Sequence, residues 1–305
     1  MLEQFEQRLQ QLQLYCRHKT NHLLCGQYHS AFKGRGIEFD EVRPYAVGDD
    51  VRTIDWNVTA RTGEVHIKRF HEERELNLIF VVDHSPSFAW SSEKTGRDYV
   101  AAQFCGLLGS AALANNDRIG LLQFSDEVDD YLPPARGRSQ LMRCLSKLLL
   151  PAKQVSYTSV NQVLMHLSEL NLKRSIIVLV SDFLTDDNNK SINHENYQES
   201  LAILAQKHQV LAIAVDDPKE LNLPKRGLFQ LIDSENQQTK TIDFKNSETR
   251  KAFTTNMQLR LQQRNEIFLH CRVDLLQHCI SDDPIETLLT FFQIRRQRTE
   301  GETGG

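Results

Sequence analysis

The sequence predicts an α/β fold, with a doubly wound and mostly parallel β-sheet between layers of helices. Four short, nearly continuous apolar runs carry this prediction, because strands that are covered on both faces have this pattern. The runs stand at 76–82, 119–124, 176–180 and 210–215. Patterns with helical spacing separate them, and strands that alternate with helices form parallel sheets. A Rossmann-like, doubly wound arrangement is therefore expected for the centre of the chain.

Helices are predicted wherever apolar residues recur every three or four positions. In the centre of the chain they stand at about 100–111, 141–148 and 160–167. Beyond Gly227, the sequence predicts strands around 229–232 and 241–244 and helices at about 247–266 and 284–295. Pro284 suits the first turn of the last helix, because the N–H that proline lacks has no helical partner at that position.

The chain divides into four predicted segments. Leu2, Phe5, Leu9 and Leu12 recur at helical spacing, which predicts an N-terminal amphipathic helix. Gly, Asp, Arg, Pro and aromatic residues then predict a small β-rich elaboration with several turns. The predicted bounds are 1–25 for the helix, 26–72 for the β-rich segment, 73–298 for the main domain with a C-terminal extension, and 299–305 for a disordered tail.

Composition disfavours several classes of function. The 305 residues are 40% hydrophobic and 25% charged with a formal net charge of −4, so no positive field favours nucleic acid or an anionic membrane. The first residues lack the apolar stretch of a signal peptide, and no later run is long enough to span a bilayer. We therefore expect a cytoplasmic protein without membrane insertion. Its six scattered cysteines form no C-x-x-C pair and are expected to be reduced and structural.

Acidic and hydroxyl side chains follow the predicted strands. Asp83 comes directly after the first strand, and Asp182 follows the third strand after a single serine. Parallel strands end at a common edge of the sheet, and ligands of such sheets bind beyond that edge. Ser85 and Ser87 lie two and four residues after Asp83, where a loop that turns into a helix aims alternate side chains at one point. Thr158 precedes another predicted helix and can reach the same point from a neighbouring loop.

These oxygen ligands predict a site for a hard divalent cation. Carboxylates and hydroxyls without His or Cys suit Mg²⁺ or Mn²⁺ and argue against zinc or copper. Because few of the ligands are charged, the ion stays electron-poor and gains from a further anionic ligand. An Asp or Glu of a partner protein would supply that ligand, which makes the site one for recognition. The predicted metal ligands are Asp83, Ser85, Ser87, Thr158 and Asp182.

The D-x-S-x-S string of Asp83, Ser85 and Ser87, with the later Thr158 and Asp182, resembles the metal-ion-dependent adhesion site of von Willebrand factor A domains. Ser and Asp before a helix also serve as simple caps, so the string alone is a weak signal. The joint match of the residues with strand exits and helix starts favours the metal hypothesis, although Thr158 fits a cap nearly as well. The resemblance implies a von Willebrand factor A-like domain.

A wider resemblance, from about Gly26 to Arg298, is to the bacterial family called domain of unknown function 58. It is carried by RPYAVGDDVRTIDW at 43–56 and by the segments 59–61, 68–70, 181–183, 217–220 with Pro224, 282–284 and 291–292. Phe88 departs from the pattern, since such proteins more often have Met there. The resemblance implies work with MoxR-type AAA+ ATPases, in which this chain would be an adaptor for the assembly or maturation of a client protein.

The role of the segment from Arg43 to Lys68 has two interpretations. It mixes opposite charges at close spacing with aromatic residues, which suits either an ion-paired surface loop or a docking patch. The ion-paired loop is favoured, because Gly48, Asp49 and Asp50 form a turn sequence and Arg–Asp pairs make loops rigid.

An enzymatic alternative uses the same acidic residues. Asp83 and Asp182 could serve a metal-dependent phosphatase or another hydrolase, since an Asp at a strand exit also begins such sites. Haloacid-dehalogenase-like chemistry requires a second acid where Ser85 stands, and a phosphoryl-receiving signalling domain leaves Ser85, Ser87 and Thr158 unexplained. The sequence contains neither a phosphate-binding G-x-x-x-x-G-K-[ST] loop nor a G-x-S-x-G elbow. A non-enzymatic, protein-binding function is therefore predicted.

Overall fold

A computed structural model gives the fold of the chain. It describes residues 2–20, 22–32, 39–70, 76–89, 91, 96–151, 158–184, 197–221, 228–232, 239–243 and 246–302. The helices are α1 (Leu2–Lys19), α2 (His22–Phe32), α3 (Trp56–Thr62), α4 (Pro86–Ala89), α5 (Arg97–Ala114), α6 (Arg138–Leu148), α7 (Val160–Glu169), α8 (Gln198–Lys207), α9 (Pro218–Leu221), α10 (Ser247–His270) and α11 (Pro284–Glu302). The strands are β1 (Phe39–Pro44), β2 (His66–Phe70), β3 (Asn77–Asp83), β4 (Arg118–Phe124), β5 (Val128–Ala135), β6 (Ile176–Ser181), β7 (Gln209–Asp216), β8 (Leu228–Ile232), β9 (Thr239–Asp243) and β10 (Asp274–Cys279).

Within the described residues, the central sheet has six strands in the order β10-β7-β6-β3-β4-β5. Neighbouring strands are parallel except for β5, which pairs antiparallel with β4 at one edge. The fold class predicted from the sequence is confirmed. The apolar runs became the central strands because β3, β4, β6 and β7 are buried along almost their whole length.

The strand order reverses its direction at the centre of the sheet. From β3 the chain first adds β4 and β5 on one side, and it then crosses back to place β6, β7 and β10 on the other side. The crevice beyond the carboxyl ends of β3 and β6 is thus a topological switch point, where open α/β sheets bind their ligands.

Each face of the sheet has its own hydrophobic core. Alternate side chains of a strand point to opposite faces, so Leu78 and Phe80 enter one core and Ile79 and Val81 enter the other. Residues of α1, α2, α5, α6 and α11 cover the first face. Residues of α7, α8 and α10 cover the second face. Within the described residues, helices therefore cover both faces of the central strands.

The N-terminal part differs from its predicted division at residues 25 and 26. The structure has two helices there, and α2 runs to Phe32 inside the segment predicted to be β-rich. Leu24, Tyr28 and Phe32 repeat every four residues and are buried in the core of the first face. Gly26 stands at the predicted boundary between the first two segments. Because glycine usually indicates a turn, the sequence pattern did not predict a helix through this position.

The segment after α2 is an antiparallel ribbon of β1 and β2 with a short helix, α3, between the strands. Arg43 donates two hydrogen bonds to Asp49, at 2.9 and 2.6 Å. This bidentate pair supports the ion-paired interpretation of the loop. Trp56 at the start of α3 is 70% exposed. The predicted β-rich segment therefore contains two strands together with helical turns.

The C-terminal predictions hold with longer bounds. The strand pair β8 and β9 and the helices α10 and α11 lie where the sequence predicts them. Residues 299–305 were predicted as a disordered tail, but α11 continues to Glu302, and residues 303–305 lie outside the described residues. Among the described residues, no helix combines the length and the apolar character needed to cross a bilayer.

Candidate metal centre

Asp83 is the last residue of β3 and lies at the switch point. Its side chain is almost fully buried, with 4% of the residue exposed. One carboxylate oxygen, Oδ1, accepts a hydrogen bond from the Ser85 backbone N–H at 2.9 Å, and Oδ2 accepts one from the Ser181 hydroxyl at 2.7 Å. Hydrogen bonds to both oxygens therefore hold the carboxylate in place.

Ser85 and Ser87 place two hydroxyl oxygens side by side. Their Oγ atoms are 3.0 Å apart. Ser85 is fully buried and its Oγ accepts a hydrogen bond from the Phe88 N–H at 3.2 Å, so it also caps the short helix α4. Adjacent ligands about 2.1 Å from an octahedral Mg²⁺ are about 3.0 Å apart, so this spacing fits one edge of such a site.

Asp182 follows β6 directly, on the other side of the switch point from β4. Its Oδ1 accepts a hydrogen bond from the Leu184 N–H at 3.0 Å, and its backbone carbonyl accepts one from Arg264 at 2.9 Å. Phe183 has a positive φ of 55° and packs its buried ring edge-on against Phe268 of α10, with centroids 5.0 Å apart. These contacts fix a strained loop, as is common where a backbone positions a ligand.

Thr158 approaches the same rim from the β4 side. The Ser159 N–H donates to the Ser125 carbonyl at 2.9 Å, and Ser125 follows Phe124, which is the register partner of Asp83. Ser159 is the N-cap of α7, because its hydroxyl accepts a hydrogen bond from the Gln162 N–H at 3.2 Å. The cap of this helix is therefore Ser159, and Thr158 is the residue directly before it.

The charge of Asp182 acts on the buried Asp83 carboxylate. Burial, followed by the charge of Asp182, raises the pKa of Asp83 to about 7, although hydrogen bonds from Ser85 and Ser181 act in the opposite direction. A buried carboxylate whose ionisation is opposed by a neighbouring negative charge is stabilised by a cation beside it. The donor set therefore fits a divalent ion electrostatically. The described residues include no cluster of three or more His, Cys, Asp or Glu suited to a metal, so an ion here would depend on the hydroxyls as well.

A buried arginine lies beside these residues. Arg97, the first residue of α5, is 1% exposed and places Nη2 2.5 Å from Glu220 Oε2 and Nη1 3.7 Å from Asp182 Oδ2. Sequence reasoning missed Arg97 and Glu220, because an arginine at a helix start and a glutamate in a short helix are ordinary surface signals. It also missed the role of Ser181, although this serine stands next to Asp182 in the sequence.

The strand order, the switch point and the acidic, hydroxyl-rich rim together define a doubly wound α/β domain with a candidate cation site. Residues 41–264 match the family described as Protein of unknown function DUF58. Uncharacterized proteins of Mycobacterium bovis and Mycobacterium tuberculosis are 30% identical over 233 residues, which cover 74% of the chain and 70% of each relative. The chain belongs to the DUF58 family.

Solved structures with a similar fold include two bacterial proteins. The conserved hypothetical protein BatB of Bacteroides thetaiotaomicron is 13% identical, with a TM-score of 0.40 over 73% of this chain and 99% of that one. A von Willebrand factor type A protein of Catenulispora acidiphila is 10% identical, with a TM-score of 0.35 over 73% of this chain and 42% of that one. Because both TM-scores are low, the fold class rests on the strand order of the chain itself.

Proposed function

We propose that this chain is a non-enzymatic, divalent-metal-dependent protein-binding adaptor. Mg²⁺, or Mn²⁺ in its place, would be held at the switch point by side-chain oxygens. The observation that carries the proposal is the pair of serine oxygens 3.0 Å apart beside the buried Asp83 carboxylate, opposite Asp182. The proposed ligands are Asp83, Ser85, Ser87, Thr158 and Asp182.

The exposure of these residues supports recognition of a partner from the solvent side. Asp83 and Ser85 are buried at the bottom of the site, whereas Ser87, Thr158 and Asp182 are partly exposed. When bound, the ion has its two positive charges balanced by the two carboxylates, and the five side-chain ligands leave one of its six octahedral positions open. An Asp or Glu of a partner would complete its coordination, and Ser87, Thr158 and Asp182 would line the approach.

A MoxR-type AAA+ ATPase is the proposed partner, with assembly or maturation of a client protein as the shared task. This part of the proposal depends on the resemblance in the signature segments and on membership of the DUF58 family. The metal site supplies the chemistry of the contact, since a hard divalent ion with an open position favours a partner surface that presents a carboxylate oxygen.

The hydrolase alternative has less support from the geometry. A nucleophilic or metal-activating Asp83 would have to reach a substrate, but only 4% of this residue is exposed. Both of its oxygens already accept hydrogen bonds from neighbouring groups, Ser85 and Ser181. A carboxylate in these surroundings is better placed to hold an ion from below than to attack a phosphoryl group.

Calorimetric titration with Mg²⁺ or Mn²⁺ tests the metal site. We expect the unaltered chain to bind one ion and Asp83→Ala to lose measurable binding, because the buried carboxylate is the only charged ligand below the ion. Asp274→Ala is the matched control. It removes the same charge from the first residue of β10, at the opposite end of the sheet, and is expected to leave affinity unchanged. Equal binding by the unaltered chain and Asp83→Ala would rule out the assignment.

Affinity capture from native lysate tests the partner. We expect the tagged chain to recover an AAA+ ATPase of the MoxR type in the presence of Mg²⁺, and to lose it in EDTA or with Ser85→Ala. Ser110→Ala is the control, because Ser110 lies in α5 and donates only to the Gly106 carbonyl, 2.7 Å away in the same helix. Recovery that persists in EDTA and with Ser85→Ala would contradict a metal-mediated contact, and recovery of no such ATPase would contradict the partner.

A further inference from the structure

Arg97 is a permanent positive charge buried beside the candidate metal centre. It is 1% exposed. Burial is the largest single influence on the pKa of Arg97 and lowers it, but the charges of Asp182, Glu220 and Asp217 together raise the pKa above its usual value. Burial of a guanidinium is costly unless carboxylates surround it, so three acidic residues at this rim are matched to one arginine. Its Nε has no hydrogen-bond partner among the described residues, which leaves the side chain held by its two terminal nitrogens.

The two ion pairs of Arg97 are unequal. The Glu220 carboxylate lies 2.5 Å from Nη2, whereas the Asp182 carboxylate lies 3.7 Å from Nη1. Glu220 belongs to the short helix α9 after β7, and Asp182 follows β6, so the arginine bridges the exits of two neighbouring strands. Glu220 thus draws the guanidinium to its own side, and Asp182 stays within reach of both Arg97 and a second cation.

We propose that Arg97 is a built-in counter-cation that competes with the divalent ion for Asp182, and that Glu220 sets the strength of this competition. The inference rests on the proposed metal function. A positive charge this close to Asp182 repels an incoming ion and shares the negative charge that would attract it. Arg97 therefore weakens metal binding while it keeps the acidic rim folded, and Glu220 limits the weakening by holding Arg97 away. Arg97 and Glu220 act as positioning residues and are not ligands.

Mg²⁺ affinities of Arg97 and Glu220 variants test this inference by calorimetry. We expect Arg97→Gln to bind Mg²⁺ about tenfold more tightly or better, because the competing charge is gone, and Arg97→Lys to stay near the unaltered chain. Glu220→Gln is expected to weaken binding several-fold, because Arg97 is then free to pair with Asp182. In the Arg97→Gln background, Glu220→Gln should have a much smaller effect, and this coupling separates action through Arg97 from simple loss of charge.

Thermal unfolding of the same variants provides a second readout. In EDTA, Arg97→Gln should unfold at a lower temperature than the unaltered chain, because it leaves buried carboxylates without their counter-cation. Added Mg²⁺ should raise its unfolding temperature by more than that of the unaltered chain. If Arg97→Gln does not fold, the Mg²⁺ affinities of Arg97→Lys and Glu220→Gln still test the inference. We expect Glu220→Gln to bind Mg²⁺ more weakly than Arg97→Lys, and the reverse order would overturn the inference.

The outcomes separate this inference from the proposed function. Mg²⁺ binding that is lost in Asp83→Ala but is equal in the unaltered chain, Arg97→Gln and Glu220→Gln overturns the role of Arg97 and leaves the metal site standing. Mg²⁺ binding that is measurable in Arg97→Gln and not in the unaltered chain would show that Arg97 outcompetes the divalent ion for Asp182. Absence of Mg²⁺ binding from the unaltered chain, Arg97→Gln and Arg97→Lys overturns both proposals.

Discussion

At the residue scale, the environment of the Asp83 carboxylate depends on a neighbouring serine from another strand. Ser181, the last residue of β6, donates its hydroxyl to Asp83 Oδ2 and accepts a hydrogen bond from the Phe183 N–H at 3.1 Å. One buried hydroxyl thereby connects the carboxylate of β3 to the loop that carries Asp182. Loss of this hydroxyl leaves a buried carboxylate oxygen with one donor fewer, which is more costly than loss of an exposed hydrogen bond.

Ser181→Ala is therefore expected to lower the free energy of unfolding by about 1–3 kcal/mol. Urea denaturation in EDTA measures this loss without a contribution from bound metal. Ser110→Ala is the control, and we expect a change of less than about 0.5 kcal/mol, because its carbonyl partner keeps its helical hydrogen bond.

A double-mutant cycle identifies the partner that makes Ser181 important. In the Asp83→Ala background, Ser181→Ala should cost clearly less than in the unaltered chain, because the hydroxyl then has no carboxylate to stabilise. Equal costs in both backgrounds would contradict the assigned role and would place the contribution of Ser181 in its contact with Phe183 instead.

At the scale of secondary-structure elements, α10 positions the loop after β6. Arg264 forms a bidentate ion pair with Asp216 at the end of β7, at 2.6 and 3.0 Å, and donates to the Asp182 carbonyl. Phe268, one helical turn later, packs against Phe183. One face of α10 thus holds the Asp182 loop by a charge and by an aromatic contact, and the strained backbone at Phe183 is compensated by this packing.

Three further elements meet at His278. This histidine lies in β10, contacts Thr287 Oγ1 of α11 at 2.9 Å, and packs edge-on against Phe104 of α5, with centroids 4.8 Å apart. It is 1% exposed. Burial lowers the pKa of His278 to about 4, although Asp282, Asp283 and Asp216 act in the opposite direction. The histidine therefore stays neutral in the folded protein at pH values where an unfolded chain would bind a proton.

Stability is expected to fall as the pH decreases from about 6.5 to about 4, because the unfolded state takes up a proton that the folded state does not. Above pH 6.5 both states are neutral at this position, and the contribution is constant. A pKa shift of this size corresponds to a loss of about 3 kcal/mol in the free energy of unfolding at the low end of this pH range.

Urea denaturation of the unaltered chain and His278→Gln across this pH range measures the effect. The difference at pH 8 gives the cost of altered packing, and we expect the two curves to converge as the pH falls toward 4. Curves that stay parallel between pH 4 and 6.5 would show that His278 does not cause the dependence.

At the scale of the whole molecule, the parallel sheet brings the site together. Asp83 and Phe124 are register partners at the ends of β3 and β4, and Ser181 ends β6 on the other side of β3. Because all these strands run in one direction, their exit loops meet at one rim. The covered faces of the sheet leave this rim as the place where a buried carboxylate and partly exposed hydroxyls lie close to solvent.

Much of this arrangement was predictable from local sequence. The apolar runs gave the central strands within one or two residues. Asp83 stands directly after the first run, and Asp182 follows the third run after a single serine. The missed elements have weaker local patterns. The edge strand β5 contains two prolines and is mostly partly exposed, and β10 mixes polar with apolar residues, so neither shows a continuous apolar run.

The sequence by itself determined the fold class and the residues at the strand exits, because strand burial and helical period are written into neighbouring positions. Only the tertiary structure decided that Ser181 holds Asp83 across 98 positions of sequence and that Arg97 pairs with Glu220 across 123. Contacts between residues so far apart depend on how the elements pack, and no local pattern in the sequence records them.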